Sequence, residues 1–284
     1  VFSEKVNEVD VRGKLARLFK EQKKLNEAKN EYLMLTKLDA ENFENYYELG
    51  VLFFESGVMD KAAPYLKKAA ELNPKHSNSY YFLGQVAYRL GNHAEAKNAL
   101  LESIKLEASN FKAHYFLGLV LRQLQDYEWA IKEFEVAQKS DDIRTKCFLA
   151  KGTCYLEREQ YPKAVIEFER GLKGASRGSD TELNMRYFLA SAYEKMRDMH
   201  SAIANWEKIY EVNKKFRDVE QKLKQNEEFR QDDRIKDFLI ATLSNFELMS
   251  KKVVEKLGLE ISEVKVINDT DIEMFASEPD DGRR

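Results

Sequence analysis

Glycine and proline, the residues that most often interrupt regular structure, are scarce in this chain. Its 284 residues include 12 glycines and 4 prolines, a balance that favours long helices over turn-rich β structure. No run of about 18 apolar residues occurs, so the sequence predicts no segment that spans a membrane. The formal net charge of -3 provides no overall attraction to nucleic acid or to an anionic lipid surface. Neither is therefore a predicted partner.

Cysteine and catalytic motifs are also rare or absent. Cys147 and Cys154 are the only two cysteines, and seven residues of helix would separate them by about 10 Å, too far for a disulfide. No histidine lies near enough in sequence to complete a metal site, so we interpret both as buried thiols. The sequence has no glycine-rich phosphate loop, nucleophile elbow or HExxH motif. We therefore predict that the chain is not an enzyme and has no cofactor, metal or small-molecule substrate.

What the chain does contain is a period of 34 residues. At this spacing glycine recurs four times, as do an alanine twelve residues further on and a large apolar residue four residues after that. The recurring residues are Gly50, Gly84, Gly118, Gly152, Ala62, Ala96, Ala130, Ala164, Leu66, Leu100, Phe134 and Phe168. The register extends backward to Ala16 and Ala28. It extends forward to Ala190 and Ala202 after an insertion of four residues within 174–182.

This register resembles the tetratricopeptide repeat family, in which each repeat is a pair of helices. The second repeat matches the family pattern most fully, through Tyr46, Leu49, Gly50, Phe53, Ala62, Leu66, Ala69 and Pro74. The resemblance implies an all-α, right-handed superhelical solenoid of helix-turn-helix repeats. Six repeats would occupy residues 1–216, the first and sixth being degenerate because terminal repeats face water.

The physical chemistry of the repeated residues agrees with the resemblance. In the numbering of the 34-residue repeat, Gly50 stands at position 8, Ala62 at position 20 and Leu66 at position 24. Small residues at positions 8 and 20 suit the crossing of the two helices of a repeat, and the large residue at position 24 fills the space beside them. Gly57 and Gly91 are predicted to end first helices. Pro64 and Pro162 are predicted to lie in the first turn of second helices, where the missing N–H is harmless.

The resemblance also implies which face binds a partner, since positions 2, 5, 9, 12 and 13 of the first helices line the concave groove in this family. Here position 5 is tyrosine in four repeats, and position 2 changes from acidic (Asp10, Glu44) to basic (Lys112, Lys146) along the array. We predict that the groove binds a peptide segment or a partner protein. The predicted partner-binding residues are Tyr47, Phe54, Tyr81, Tyr88, Tyr115, Lys112, Lys146, Arg122 and Tyr187.

Two details of the groove bear on its use. Tyr81 and Tyr88 are assigned to the groove because no packing rule of the repeat requires them, whereas Phe82 is predicted to pack between repeats. The alternative is that the position-5 tyrosines pack against the first helix of the neighbouring repeat. Some members of the family grip a C-terminal carboxylate with Lys, Asn and Arg, but those positions here are Gly13, Arg17, Glu48, Asn78 and Phe82. A chaperone-tail cofactor is therefore not predicted.

The sequence after the repeats predicts capping and C-terminal helices over 217–258, then a small β-hairpin extension over 259–284. The charged segment 217–229 is followed by an amphipathic helix that ends at Gly258. Strands are predicted at 260–269 and 271–277, with a disordered tail after them. Because an isolated hairpin is marginal in water, it docks on the helix, receives strands from a partner, or opens a truncated α/β domain.

The leading functional hypothesis is a protein-interaction scaffold. One alternative is a structural subunit of a large membrane-associated assembly, because the C-terminal extension resembles those of repeat proteins in spirochaete flagellar-motor collars. Another is the regulatory array of a truncated catalytic domain. The predicted compartment is the cytoplasm, or the periplasm or a membrane surface if an N-terminal signal or anchor was removed. The oligomeric state stays open.

Overall fold

The computed structural model describes residues 2–227, 243–266 and 272–277 of the chain. These residues fall into two compact units, which divide between Ala175 and Ser176. Both units are built mainly from helices, as predicted, and the two strands lie near the end of the second unit. Among the described helices, none has a stretch long and apolar enough to cross a bilayer.

The first unit consists of ten helices paired into five consecutive helix-turn-helix hairpins. The helices are α1 (Phe2–Glu21), α2 (Leu25–Leu38), α3 (Phe43–Glu55), α4 (Met59–Leu72), α5 (Ser77–Arg89), α6 (His93–Leu106), α7 (Phe111–Gln123), α8 (Tyr127–Ala137), α9 (Asp141–Glu157) and α10 (Tyr161–Leu172). Each helix packs on the next along the chain. The apolar core therefore lies between first and second helices and is renewed at every repeat.

The repeated glycines lie where the two helices of a hairpin cross, as predicted. A Cβ atom placed on Gly50 would stand 2.7 Å from Cγ of Leu66, and one placed on Gly118 would stand 2.6 Å from Cε1 of Phe134. Such distances are too short for carbon atoms, so only glycine permits this approach of the helices. The 34-residue period thus records one steric contact, between positions 8 and 24, that recurs in consecutive hairpins.

The turn inside each hairpin also repeats. One residue per hairpin has a positive φ, and these residues are again 34 apart within the first unit. They are Lys23, Gly57, Gly91, Gln125 and Glu159, with φ between 57° and 80°. The prediction that Gly57 and Gly91 end first helices is confirmed, since glycine adopts this left-handed conformation without a Cβ penalty.

The two prolines of the second helices differ from each other. Pro162 lies in the first turn of α10, as predicted. The prediction for Pro64 is wrong, because α4 begins at Met59 and places this proline in the helix interior. An interior proline removes one main-chain hydrogen bond. Helix α4 nevertheless continues through Pro64, and the burial of its apolar face offsets the loss.

The second unit begins with a sixth hairpin, formed by α11 (Asp180–Lys195) and α12 (Met199–Val212). A short helix, α13 (Val219–Gln225), packs on α12. Its Val219 and Leu223 are buried in one cluster with Trp206 and Ile209 of α12. Helix α13 therefore covers the apolar side of the hairpin, as the predicted capping helix would.

The C-terminal extension contains α14 (Leu243–Lys256), β1 (Glu260–Val266) and β2 (Ile272–Ser277). Gly258 has φ +78 and follows the helix as predicted. The strands pair antiparallel, with an irregularity between Ile261 and Glu263, and α14 packs against β1. The predicted first part of the amphipathic helix, the turn at 268–270 and the tail at 278–284 lie outside the described residues. The division into domains at residues 216 and 258 stays a prediction.

Candidate partner-binding face

The first helices of the first unit meet along junctions built from three repeat positions: 5 and 12 of one repeat and 6 of the next. At the junction of α3 with α5, Phe82 supplies position 6. Its ring centroid lies 5.9 Å from that of Tyr47 and 5.3 Å from that of Phe54, both in edge-on geometry. The prediction that Phe82 packs between repeats is confirmed.

The junction of α5 with α7 repeats this arrangement. Phe116 lies 5.9 Å from Tyr81 and 6.4 Å from Tyr88, again in edge-on contacts. The reason for assigning these two tyrosines to the groove, that no packing rule of the repeat requires them, is therefore wrong. The assignment itself stays a prediction. The family pattern describes positions within one repeat, and the phenylalanine that they contact belongs to the next. At these two junctions the position-5 tyrosines, Tyr47 and Tyr81, pack against the first helix of the next repeat, as the alternative interpretation expects.

The predicted site residues differ in exposure along the first unit. Phe54 is 8% exposed, and the guanidinium carbon of Arg89 lies 4.2 Å from its ring centroid. Tyr47, Tyr81 and Tyr115 are half-buried. Burial raises the pKa of each of these three tyrosines to about 12, so all three are neutral hydrogen-bonding groups near neutral pH.

The predicted basic residues are partly neutralised within the chain. Lys112 pairs with Asp142 at 3.3 Å. Nε of Arg122 lies 4.0 Å from Oε1 of Glu157, and its Nη1 donates to Oγ1 of Thr153 at 2.8 Å. Lys146 is exposed and forms no ion pair within the described part of the chain. The acidic-to-basic gradient of position 2 thus ends in one available cation, at Lys146.

Tyr187, the predicted site residue of the second unit, is already contacted by the chain itself. Its hydroxyl donates to Oδ1 of Asp218 at 2.9 Å. The guanidinium carbon of Arg217 lies 4.4 Å from its ring centroid, and Nη2 of Arg217 donates to Oδ1 of Asn184 at 2.5 Å. A cation stacked on a position-5 tyrosine is therefore one contact of which these repeats are capable.

The junction of α1 with α3 is built differently from the two aromatic ones. Position 5 is Gly13, and a Cβ placed there would meet no atom within 4 Å. Positions 12 and 6 are Lys20 and Glu48, which form an ion pair. A cavity of about 450 Å³ results, within the size range of small-ligand sites. Its wall is formed by Gly13, Arg17, Lys20, Glu21, Tyr32, Phe43, Glu44, Asn45, Tyr47, Glu48 and His76.

Aromatic rings and carboxylates dominate the wall of this cavity. His76 lies between Phe43 and Tyr47, with ring centroids 4.9 Å and 4.7 Å away, and its Nδ1 contacts Oγ of Ser79 at 2.8 Å. Burial lowers the pKa of His76, against the opposing effect of Glu44 and Glu48. The imidazole is therefore neutral at pH 7, and its Nε2 has no hydrogen-bond partner within the described part of the chain.

Sequence reasoning placed Gly13, Arg17, Lys20 and Glu44 in groove rows but did not join them into one site. It missed Tyr32, Asn45 and His76 altogether. The available signal was the glycine at position 5, where the next three repeats have tyrosine. An omitted side chain leaves a space that only the neighbouring helices define.

The two cysteines play no part in this site. Both are fully buried and free, and burial raises the pKa of each thiol to about 12. Their interpretation as buried thiols is confirmed. Among the described residues, no group of three or more His, Cys, Asp or Glu side chains is placed to hold a metal ion.

Comparison with known proteins agrees with the hairpin geometry. Two tetratricopeptide repeat family profiles match residues 81–142 and 183–216, and the profile of subunit 3 of the anaphase-promoting complex, or cyclosome, matches residues 21–103. No curated protein matches the chain significantly in sequence. With its glycine-centred helix crossings and 34-residue period, the chain belongs to the tetratricopeptide repeat proteins.

Several solved structures share the fold. PilF of Pseudomonas aeruginosa superimposes with a TM-score of 0.63 at 15% identity, over 78% of this chain and 99% of that one. A MamA protein gives 0.56 at 23% identity, over 59% and 91% of the two chains. YrrB, a TPR protein with an unusual peptide-binding site, gives 0.56 at 18% identity, over 68% and 97%. At these identities the likeness is one of fold.

Proposed function

We propose that the chain is a protein-interaction scaffold that binds a peptide segment of a partner protein along the first helices of its first unit. The observation that carries this proposal is the open junction between α1 and α3, a cavity of about 450 Å³ lined by rings and charges. The similarity to YrrB, whose peptide-binding site is noted as unusual, supports a peptide as the ligand class. The proposal involves equilibrium binding and no chemical step.

The half-buried tyrosines extend this face beyond the cavity. Tyr47, Tyr81 and Tyr115 stabilise the junctions and still expose part of their surface. Tyrosine combines a large apolar body with a polar tip and recurs in binding hot spots. We therefore retain Tyr47, Tyr81 and Tyr115, with Tyr88 and Lys146, as proposed contacts. Phe54 supports them from beneath, because its ring is covered by Arg89.

Photo-crosslinking tests the proposed face. A photoreactive amino acid is placed at Asn78, which is exposed at position 2 of α5, or at Glu95, which is exposed on the second helix α6. Each protein is irradiated with a biotinylated nonapeptide library of random sequence. We expect crosslinked peptide at Asn78 at several times the yield found at Glu95. Equal yields, or crosslinking from Glu95 alone, would contradict binding at the first-helix face.

A second candidate function, a structural subunit of a larger assembly, is favoured by the C-terminal extension. Leu257 is 70% exposed and Phe275 is 50% exposed, and the two strands form a sheet of their own within the described residues. A partner could cover these side chains or add a strand. This alternative takes precedence if Asn78 gives no crosslink with peptides.

A further inference from the structure

The sixth repeat shows how this chain surrounds a cation on a position-5 tyrosine. Arg217 stacks on Tyr187, and its guanidinium donates a hydrogen bond to Asn184. Asn184 occupies position 2 of the repeat, three residues before the tyrosine and almost one helical turn away. A ring and an oxygen acceptor from one helix thus contact one guanidinium, which also lies against the rings of Phe188 and Phe216.

The second repeat carries the same pair of positions with a stronger acceptor. Position 5 is Tyr47 and position 2 is Glu44, and both line the cavity at the junction of α1 with α3. Glu44 is exposed, and no ion pair occupies its carboxylate within the described part of the chain. An ionised acceptor forms a stronger hydrogen bond to a guanidinium than an amide oxygen does.

The charges around the cavity favour a cation. Of the lining carboxylates, Glu48 is held by Lys20, whereas Glu21 and Glu44 have no ion-pair partner among the described residues. Arg17 is the remaining cation of the wall. The two unpaired carboxylates therefore outnumber the one unpaired cation, and His76 adds no charge.

The pKa values of the titratable rings in the cavity wall reflect the same excess of negative charge. Glu48 contributes to raising the pKa of both Tyr32 and Tyr47, after the larger effect of burial. Glu44 and Glu48 oppose the burial of His76 by favouring its charged form. Arg17 acts in the opposite direction on Tyr32. The lining carboxylates thus affect the pKa of all three rings, whereas Arg17 opposes their effect only at Tyr32.

One wall residue points to a ligand independently of the carboxylates. Asn45 is 7% exposed and lines the cavity, yet its side-chain Nδ2 is buried without a hydrogen-bond partner among the described residues. Buried donors are nearly always satisfied in native proteins. The side-chain amide must turn for this donor to reach a ligand in the cavity, and a main-chain carbonyl of a bound peptide is then an acceptor of the required kind.

We propose that this cavity binds an arginine side chain of an extended partner peptide. The guanidinium stacks on Tyr47 and pairs with Glu44, and the peptide main chain beside it accepts from Asn45. The inference rests on the proposed peptide-binding function and specifies its ligand. Arginine suits the site better than lysine because its planar group both stacks on a ring and donates along its edge.

The test uses the full chain and three libraries of blocked nonapeptides whose central residue is arginine, citrulline or glutamate, the other positions being random. Citrulline keeps the shape of arginine and removes its charge. We expect the arginine library to bind about tenfold more tightly than the citrulline library in biolayer interferometry, as a stacked, ion-paired guanidinium should. The Glu44→Gln variant should reduce this preference to about twofold.

Two further variants serve as controls. Glu41→Gln removes an exposed carboxylate three residues away that does not line the cavity, so it should preserve the arginine preference. Arg17→Ala should tighten arginine binding, because it removes the one unpaired cation from the wall of the cavity.

Each result decides between the proposals. Equal binding of the three libraries would overturn the arginine site and leave the peptide-binding scaffold intact. Tightest binding of the glutamate library, lost in Arg17→Ala, would replace the proposed ligand with an anionic one. Absence of binding by every library would overturn both proposals.

Discussion

The junction between α1 and α3 and the junction between α5 and α7 occupy equivalent places in the repeat array, yet one is open and the other is filled. Three aromatic rings meet at the second, where Phe116 contacts Tyr81 and Tyr88. At the first, the same positions hold Gly13 and an ion pair between Lys20 and Glu48. The hairpin contact between positions 8 and 24 builds the scaffold, and the junction positions determine separately whether it presents a cavity.

The largest effect that separates the two junctions should come from position 6. Phe116→Ala removes a ring that packs against three tyrosines, and we expect the free energy of unfolding to fall by about 3 kcal/mol. Glu48→Ala at the equivalent position of the open junction should cost less than about 1 kcal/mol, because it removes a partly exposed ion pair. Urea denaturation followed by circular dichroism measures both. Equal losses would mean that the open junction is as tightly packed as the aromatic one.

A second comparison applies one substitution to two glycines of first helices. The added methyl group of Gly118→Ala would overlap the ring of Phe134, and we expect a loss of about 2 kcal/mol. Gly13→Ala meets open space and removes a flexible residue from a helix, so it should stabilise the protein by up to about 1 kcal/mol. Thermal unfolding of the two variants should therefore shift in opposite directions. A destabilised Gly13→Ala protein would contradict the open space that the structure shows around residue 13.

The hairpins could be predicted from the sequence because their key contact lies within one repeat. Gly50 and Leu66 are 16 residues apart and touch in the structure, so their joint recurrence shows directly in the sequence. The turn at Gly57 could be predicted for a similar reason, because its left-handed backbone conformation favours glycine, although Lys23, Gln125 and Glu159 adopt it in other hairpins.

The candidate site could be predicted only in part, for the opposite reason. Tyr81 packs on Phe116, which belongs to the next repeat, and the pattern of a single repeat does not describe that partner. The cavity depends on Gly13 having no side chain and on His76, which lies outside the first-helix positions that the pattern describes. Contacts between repeats, and the cavities left between them, could not be predicted from the repeat pattern, because no single residue type encodes them.

Gly13→Tyr should change stability least of these variants. It also converts the open junction most directly into one that resembles the filled junction. This substitution places at position 5 of the first repeat the residue found in the next three. Because a Cβ at residue 13 meets nothing within 4 Å, the ring can extend into the cavity, and we expect the free energy of unfolding to change by less than about 1 kcal/mol. Binding of the arginine peptide library should nevertheless fall at least about tenfold, since the ring occupies the space of the guanidinium. Gly13→Ala is the matched control and should weaken binding far less than Gly13→Tyr, because a methyl group fills only a small part of the cavity. Undiminished binding by a stably folded Gly13→Tyr protein would place the peptide elsewhere on the first-helix face.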